Sequence, residues 1–294
     1  MMDLYPSRVG DKPTILKRKD PVVYSPLEKP GPLHHEQLNS FEENGYLFLE
    51  NFFSETEVAV MRAELSKVLE SSRDRSDKRV IREPESQEVR SIFAVHEHEE
   101  FFKSLSEDKR LVEVLKQLLG SEVYIHQSRI NFKSGFTGKE FYWHSDFETW
   151  HVEDGMPQMR AISCSITLTE NNPFNGPLML VPGSHKYFVS CVGKTPEANY
   201  ENSLRRQEIG VPDNDSLTKL VKEKGIAAPT GPAGSIILFD CNIMHGSNSN
   251  ISPYPRSNVF FVFNSVENKL VSPFSGQEPR PSYIASREKR TVNS

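Results

Sequence analysis

Residues 123–132 read VYIHQSRINF, and runs of this kind, short and rich in β-branched and aromatic residues, dominate the chain from there on. They recur at Phe141 to Phe147, Met159 to Thr169, Pro177 to Val181, Ser235 to Cys241 and Asn258 to Asn264. Gly and Pro turns break them and almost no helical period lies between them. An antiparallel sandwich or barrel is therefore expected rather than a βαβ sheet. Upstream the period changes. His34 to Asn44 reads as a helix with Leu38 and Phe41 on one side and Gly45 as a left-handed cap, followed by a strand from Tyr46 to Glu50. Ser54-Glu55-Thr56-Glu57 is a capping box, stapled by Phe53 and Val58, and Val58, Met61, Leu65 and Val68 then repeat at helical steps. A second packing helix is expected from about Ser106 to Leu119, with Leu111, Leu115, Leu118 and Leu119 apolar and Gly120 ending it. Residues 1–33 hold six of the 20 prolines and no apolar period, so they read as an extended arm lying on the body. Residues 34–294 then form a single domain, interrupted at about 186–230 by a polar insertion with a short helix near Ser216 to Lys224.

Composition excludes several classes. At 294 residues the chain can bury a substantial core. No apolar run is long enough to cross a bilayer, and no apolar segment follows the first charges, so a cytoplasmic protein without a secretory signal is expected. Net charge is −5, with Lys and Arg dispersed among acids, so nucleic acid is not an expected partner. Cys164, Cys191 and Cys241 are odd in number and without a CxxC pair, as suits reduced thiols. There is no GxSxG turn and no phosphate-cradling GxGxxG or GxxxxGK[ST] loop, which removes Ser hydrolases and nucleotide binders.

The chemistry concentrates in Trp143-His144-Ser145-Asp146. On a strand, residues i and i+2 share a face, so His144 and Asp146 would present an imidazole and a carboxylate to one point. His245, which ends the apolar run GSIILFDCNIMH, is the natural third ligand. Two His and one carboxylate on one face of an octahedron leave positions open, as non-haem Fe(II) oxygenases require. Arg256 opens the strand that follows, and a guanidinium facing a barrel interior would need a carboxylate partner, which 2-oxoglutarate could supply. The plainer alternative is a solvent-facing Arg256 beside Pro253 and Pro255.

These residues resemble the phytanoyl-CoA dioxygenase superfamily of Fe(II)- and 2-oxoglutarate-dependent oxygenases. The marks are His144-x-Asp146, the turn Asn175-Gly176-Pro177-Leu178 leading to Val181-Pro182-Gly183-Ser184-His185, then His245 and Arg256. The block FYWHSDFETWHVEDGMP (141–157) with Pro279-Arg280-Pro281 resembles the branch that hydroxylates ectoine, a compatible solute of osmotic stress. The likeness spans roughly residues 36–285. Gln158, where a basic residue is expected, departs from it without touching a proposed ligand. The resemblance implies a mainly β fold, a cupin-like double-stranded β-helix with flanking N-terminal helices, and a homodimer. It implies iron on His144, Asp146 and His245, and O2 as second co-substrate. By the same resemblance 2-oxoglutarate has its distal carboxylate on Arg256, with Phe141, Asn131, Ser165 and Ser247 as further contacts. Ectoine meets Gln127, Trp150 and Arg280, with Phe239 and Phe260 as aromatic walls. An Asp at position 146 implies hydroxylation rather than halogenation.

Each assignment has a plainer reading. Phe141, Phe239 and Phe260 would also suit a core, Trp150 and Gln127 a structural role, and Arg280 a solvated loop. His185 reads as holding a turn, and His151 as lying outside the ligand set. His96 and His98 sit in an acidic stretch that reads as a solvated face. Residues 186–210 read as a lid over bound substrate. Three rival functions stay open at this point: a sister oxygenase acting on another small polar metabolite such as a free amino acid, a cupin-like module that binds metal without turnover, and a zinc hydrolase using the same three ligands.

Overall fold

A computed structural model describes residues 3–26, 30–72, 77–288 and 290–292. Its strands are β1 (Thr14–Lys17), β2 (Tyr46–Leu49), β3 (Val80–Arg82), β4 (Val89–Phe93), β5 (Val123–Lys133), β6 (Phe141–His144), β7 (Ala161–Thr167), β8 (Leu178–Leu180), β9 (Tyr187–Ser190), β10 (Ile236–Asp240), β11 (His245–Ser247) and β12 (Arg256–Ser265). The helices are α1 (His35–Asn44), α2 (Glu55–Ser71), α3 (Val95–His98), α4 (Glu100–Ser106), α5 (Lys109–Leu119), α6 (Asp146–Thr149), α7 (Tyr200–Ser203) and α8 (Asn214–Lys224). Seven strands form one sheet in the order β2-β10-β7-β12-β5-β4-β3, and β6-β11-β8 form a second. Every pairing is antiparallel, and the whole is mainly β, as the sequence led us to expect. Among the described residues no helix is long and apolar enough to cross a membrane.

The large sheet sorts its side chains by the two-residue period of a strand. Ile162, Cys164, Ile166, Ile236, Leu238, Val259, Phe261 and Phe263 join the apolar face of α1, α2, α4 and α5 in one core. Truncating one of these to Ala removes about 2–5 kcal/mol of stability. The alternate residues face the other way, toward the small sheet, where Ile237, Phe239 and Phe260 pack on Leu178 and Leu180. Along that inner face the ladder builds rungs: Gln127, Val262, Ser163 and Phe239, then Arg129, Phe260, Ser165 and Ile237, then Asn131, Asn258 and Thr167. Polar residues between apolar neighbours are thus the inside of the site.

The helix signals hold. Gly45 ends α1 at φ 79°, and the Ser54–Glu57 capping box opens α2, with Val58, Met61, Leu65 and Val68 buried. The second packing helix starts later than expected, at Lys109, because the Asp108 carboxylate accepts from the Arg110 amide and caps a new helix after α4 has ended at Ser106. The run Phe141 to Phe147 is not one strand: β6 stops at His144, and Asp146 starts α6, which continues as a π-helical turn over Trp150–Asp154. Gly155 closes it at φ 78°, where an added Cβ would strike the Val271 carbonyl. Single π-turns of this kind gather at functional sites.

The arm contributes a strand of its own, β1, which pairs with β9 of the insertion. It also sends Tyr5 into a small core and Arg18 onto Asp240 at 2.8 Å, both side chains buried. His96 is not part of a solvated face. It is three-quarters or more buried, its Nδ1 lies 2.6 Å from Ser128 Oγ, and burial, then the charge of His98, lowers its pKa to about 4. His98 is exposed. His185 holds its turn through Nε2 and the Glu42 carbonyl at 3.1 Å, and burial, with Arg18 nearby, lowers it to about 3. Both rings fold as neutral bases. The unfolded chain therefore takes up more protons below its ordinary histidine pKa of about 6.5, and stability falls as pH drops from there toward 4. We expect roughly 2 kcal/mol per histidine to be lost between pH 7 and pH 5, read from urea midpoints of the metal-free protein. A curve flat over that range would contradict the buried neutral assignment.

Candidate metal centre and substrate cavity

The two histidines meet because their strands do. His245 stands directly opposite His144 in the β11–β6 ladder, the arrangement that brings side chains into contact across a sheet, and their ring centroids lie 4.2 Å apart. Asp146 joins them although it is already helical, since Ser145 between it and His144 remains extended at φ −108° and ψ 127°. His144 Nε2 lies 3.7 Å from Asp146 Oδ1, and His245 Nε2 lies 3.8 Å from Asp146 Oδ2. All three ligand atoms lie within 4.8 Å of one another, the one such group of metal-binding residues among the described residues.

The surroundings prepare them for a cation. His144 Nδ1 donates to the Tyr142 carbonyl at 2.7 Å and His245 Nδ1 to the Ile243 carbonyl at 3.0 Å, leaving both Nε2 lone pairs turned inward. Burial, then the charge of His144, lowers His245 to about 4, so it is an unprotonated ligand at neutral pH. Burial alone would raise Asp146, but His245, His144 and Arg129 outweigh it and hold the carboxyl well below its usual range. Ser163 Oγ donates to Asp146 Oδ2 at 3.2 Å and ties the ligand to β7. This donor set fits a borderline divalent metal such as Fe(II), with one face left to the cavity.

Arg256 is buried at 7% exposure on the inner face of β12. It is not the solvent-facing cap of the plainer reading. Nη1 donates to Asn258 Oδ1 at 2.9 Å, Asn258 Nδ2 donates to Ser165 Oγ at 3.1 Å, and Nε has no partner. No described carboxylate is within ion-pair range, and burial lowers the guanidinium to about 10. A buried cation so placed is incomplete without an anion. Lys133, opposite Arg256 in the ladder, donates from Nζ to Ser247 Oγ at 2.7 Å. Burial, then Arg256 and Arg90, lowers it to about 6. Arg90 stacks over the Phe141 ring at 3.8 Å, and Asn131 accepts from Ser91 Oγ at 2.8 Å.

A cavity of about 380 Å³ opens on the triad, with Gln127, Phe141, His144, Asp146, Trp150 and Arg280 among its walls. Phe239 and Phe260 lie below them, rings 6.5 Å apart and nearly perpendicular, with Phe239 5.0 Å from His245. Gln127 spans Ile284 O and Arg129 Nη1. Trp150 is buried edge-on against His126, rings 5.2 Å apart. Arg280 is not solvated: Asp154 takes its Nε at 2.7 Å and its Nη2 at 2.5 Å, leaving Nη1 without a hydrogen bond among the described residues. His151 lies outside the ligand set, between Asp3 and the Met156 carbonyl. Gln158 is exposed and bonds only through its backbone, to the Asn268 side chain and the Arg160 amide. Residues Asn199 to Val211 of the insertion supply one wall of the cavity.

Sequence reasoning passed over Arg129, Arg90, Lys133, Glu153 and the Asp154 partner of Arg280. Arg129 was within reach: it shares the two-residue period of Gln127 and Asn131, and an Arg amid VYIHQSRINF is out of place in a core. Its guanidinium lies 5.1 Å over Phe260, and burial lowers its pKa.

An antiparallel double-stranded β-helix that gathers two imidazoles and a carboxylate beside an unpaired buried guanidinium has the architecture of a mononuclear facial-triad oxygenase. A family model described as phytanoyl-CoA dioxygenase matches residues 41–258. The ectoine dioxygenase of Stutzerimonas stutzeri is 54% identical over 286 residues, covering 97% of this chain and 95% of that protein. The crystal structure of EctD from S. alaskensis with 2-oxoglutarate and 5-hydroxyectoine superposes with a TM-score of 0.90 at 47% identity, covering 99% of this chain and 97% of the other. The same protein with bound Fe gives 0.87 at 45%, covering 99% and 98%. The chain belongs to the phytanoyl-CoA dioxygenase family.

Proposed function

We propose that the protein is an Fe(II)- and 2-oxoglutarate-dependent ectoine hydroxylase, converting ectoine, 2-oxoglutarate and O2 to 5-hydroxyectoine, succinate and CO2. The observation that carries this is the buried Arg256, without a carboxylate of its own, one strand from a metal-ready triad. When bound, Fe(II) supplies the oxygen activation that couples decarboxylation of 2-oxoglutarate to insertion of oxygen into the ring carbon. The chain's own residues bind, orient and enclose. His144, Asp146 and His245 hold the metal on one face. Arg256, assisted by Ser165, Ser247, Asn131 and the Phe141 ring, receives the far carboxylate of 2-oxoglutarate in a bidentate geometry that Lys could not match. Phe239 and Phe260 wall the ectoine ring, and Gln127, Trp150 and the free Nη1 of Arg280 take its polar groups. Positioning of this kind supplies a large part of the barrier reduction. Residues 199–211 cover the site and keep water from it. The protein works in the cytoplasm, as a homodimer.

Succinate release measured over a panel of ectoine and free amino acids tests the substrate. Ectoine alone should stimulate it strongly, with 5-hydroxyectoine formed one for one. Stimulation by an amino acid instead of ectoine would favour a sister oxygenase, and oxygen-independent turnover would favour a hydrolase. Arg280→Ala should raise the ectoine KM by roughly 10- to 100-fold, the worth of one charge-assisted hydrogen bond, and release succinate without matching hydroxylation. Unchanged coupling would remove Arg280 from the site.

A further inference from the structure

We propose that Glu153 is the anionic partner of the substrate's amidinium and so a specificity-determining residue, an assignment that rests on the ectoine reading above. Glu153 lines the cavity at 5% exposure, and nothing in the sequence marked it. Its Oε1 accepts from Arg8 Nη1 at 2.6 Å and from Asn199 Nδ2 at 2.8 Å. Its Oε2 makes no hydrogen bond among the described residues. The cation beside it is already committed: Arg8 clasps Glu148 through Nε at 2.9 Å and Nη2 at 2.7 Å, and Ser7 completes Glu148 at 2.6 Å. The neighbouring Arg280 is neutralised by Asp154. Around Glu153, two guanidinium groups, Arg8 and Arg280, thus meet three carboxylates, Glu148, Glu153 and Asp154, and Glu153 is the one left with a free oxygen. That oxygen is left open to the cavity, where a cationic donor entering the site would pair with it.

The opposite end of the site has the reverse balance. Arg256 lies there without a carboxylate in ion-pair range, and Arg129 stands between the two ends, so the far carboxylate of 2-oxoglutarate belongs there and a cation belongs at Glu153. Ectoine carries its amidinium nitrogen next to the carbon bearing its carboxylate. A zwitterion with both charged groups on one ring carbon suits Arg280 and Glu153 side by side, each group meeting its opposite. Phe239 and Phe260 offer a cation only ring faces, whereas a charged hydrogen bond fixes its direction as well.

The test is calorimetric binding to the Fe(II)- and 2-oxoglutarate-loaded protein without oxygen, using ectoine and pyroglutamate, a cyclic lactam that carries a carboxylate but no cation. Glu153→Gln keeps the shape and the Oε1 acceptor but removes the charge. Ectoine should bind about 10- to 100-fold more weakly to it, while pyroglutamate and 2-oxoglutarate bind as before. Equal weakening of ectoine and pyroglutamate, or none, would overturn the assignment. Should Glu153→Gln not fold, Glu153→Asp answers the same question: retracting the charge should weaken ectoine more than pyroglutamate, and an unchanged ratio contradicts the proposal. If the unaltered protein binds no ectoine, it is the functional reading itself that fails.

Discussion

His144→Ala should retain Fe(II) at least about 100-fold more weakly than the unaltered chain and form no 5-hydroxyectoine. Loss of outer-shell partners alone commonly costs metal sites 10- to 100-fold, so the loss of one of three ligands sets a floor rather than an estimate. The geometry makes the effect specific. His144 and His245 are cross-strand neighbours with both Nδ1 atoms tied to backbone carbonyls, so no other ring nitrogen can swing into the vacated place. His151, a short way along the chain, is already held by Asp3 and Met156. Asp146→Asn should behave alike while preserving shape, because its carboxylate is the only charge the triad offers. Full iron content with full activity in either variant would overturn the ligand assignment.

Arg256→Met should show two effects of opposite sign. Affinity for 2-oxoglutarate should fall roughly 100- to 1000-fold, as when one member of a buried charge pair is removed, with Fe(II) retention unaltered. The unloaded protein should become more stable by about 1–3 kcal/mol, because a buried guanidinium with an unpartnered Nε and no carboxylate penalises the empty fold. Calorimetric titration with 2-oxoglutarate and urea unfolding of the metal-free variant measure the two. A variant that binds 2-oxoglutarate normally would sink the role of Arg256, and one that is less stable would mean that the guanidinium is satisfied in a way its surroundings do not reveal. The stored penalty is the signature of a binding residue, as distinct from a structural one.

What was legible in the sequence divides along physical lines. Helices α1, α2 and α5 announce themselves by caps and by apolar steps of three and four, because those signals are local. Of the large sheet, β2, β5, β7, β10 and β12 are legible as runs; β3 and β4 pass unread, and so does the pair β1 and β9. Each is four residues long, and only the fold brings Thr14 against Ser190. Asp146 and Phe147 read as strand because the aromatic run they end has high β propensity, and tertiary context overrode that preference with a helix that continues as a π-turn. The triad was legible from the period of a strand even though Asp146 proved to be helical, since an extended Ser145 preserves the same geometry. The partners of site residues were not. That Asp154 holds Arg280, or that Arg8 from the arm reaches Glu148 and Glu153, depends on contacts between segments far apart in the chain, which no local pattern encodes. Arg129 is the exception, since the two-residue period of Gln127 and Asn131 places it on the inner face of β5.

The proposed activity needs one convergence: metal on three side chains, 2-oxoglutarate on the metal and Arg256, and ectoine beside both. It is tested most directly by loading the protein with Fe(II) and 2-oxoglutarate without oxygen and following the visible charge-transfer absorption as ectoine is added. A band should appear that needs both Fe(II) and 2-oxoglutarate, is absent in His144→Ala, and shifts saturably with ectoine. No band in the loaded protein, or a band indifferent to ectoine at every concentration, would contradict it.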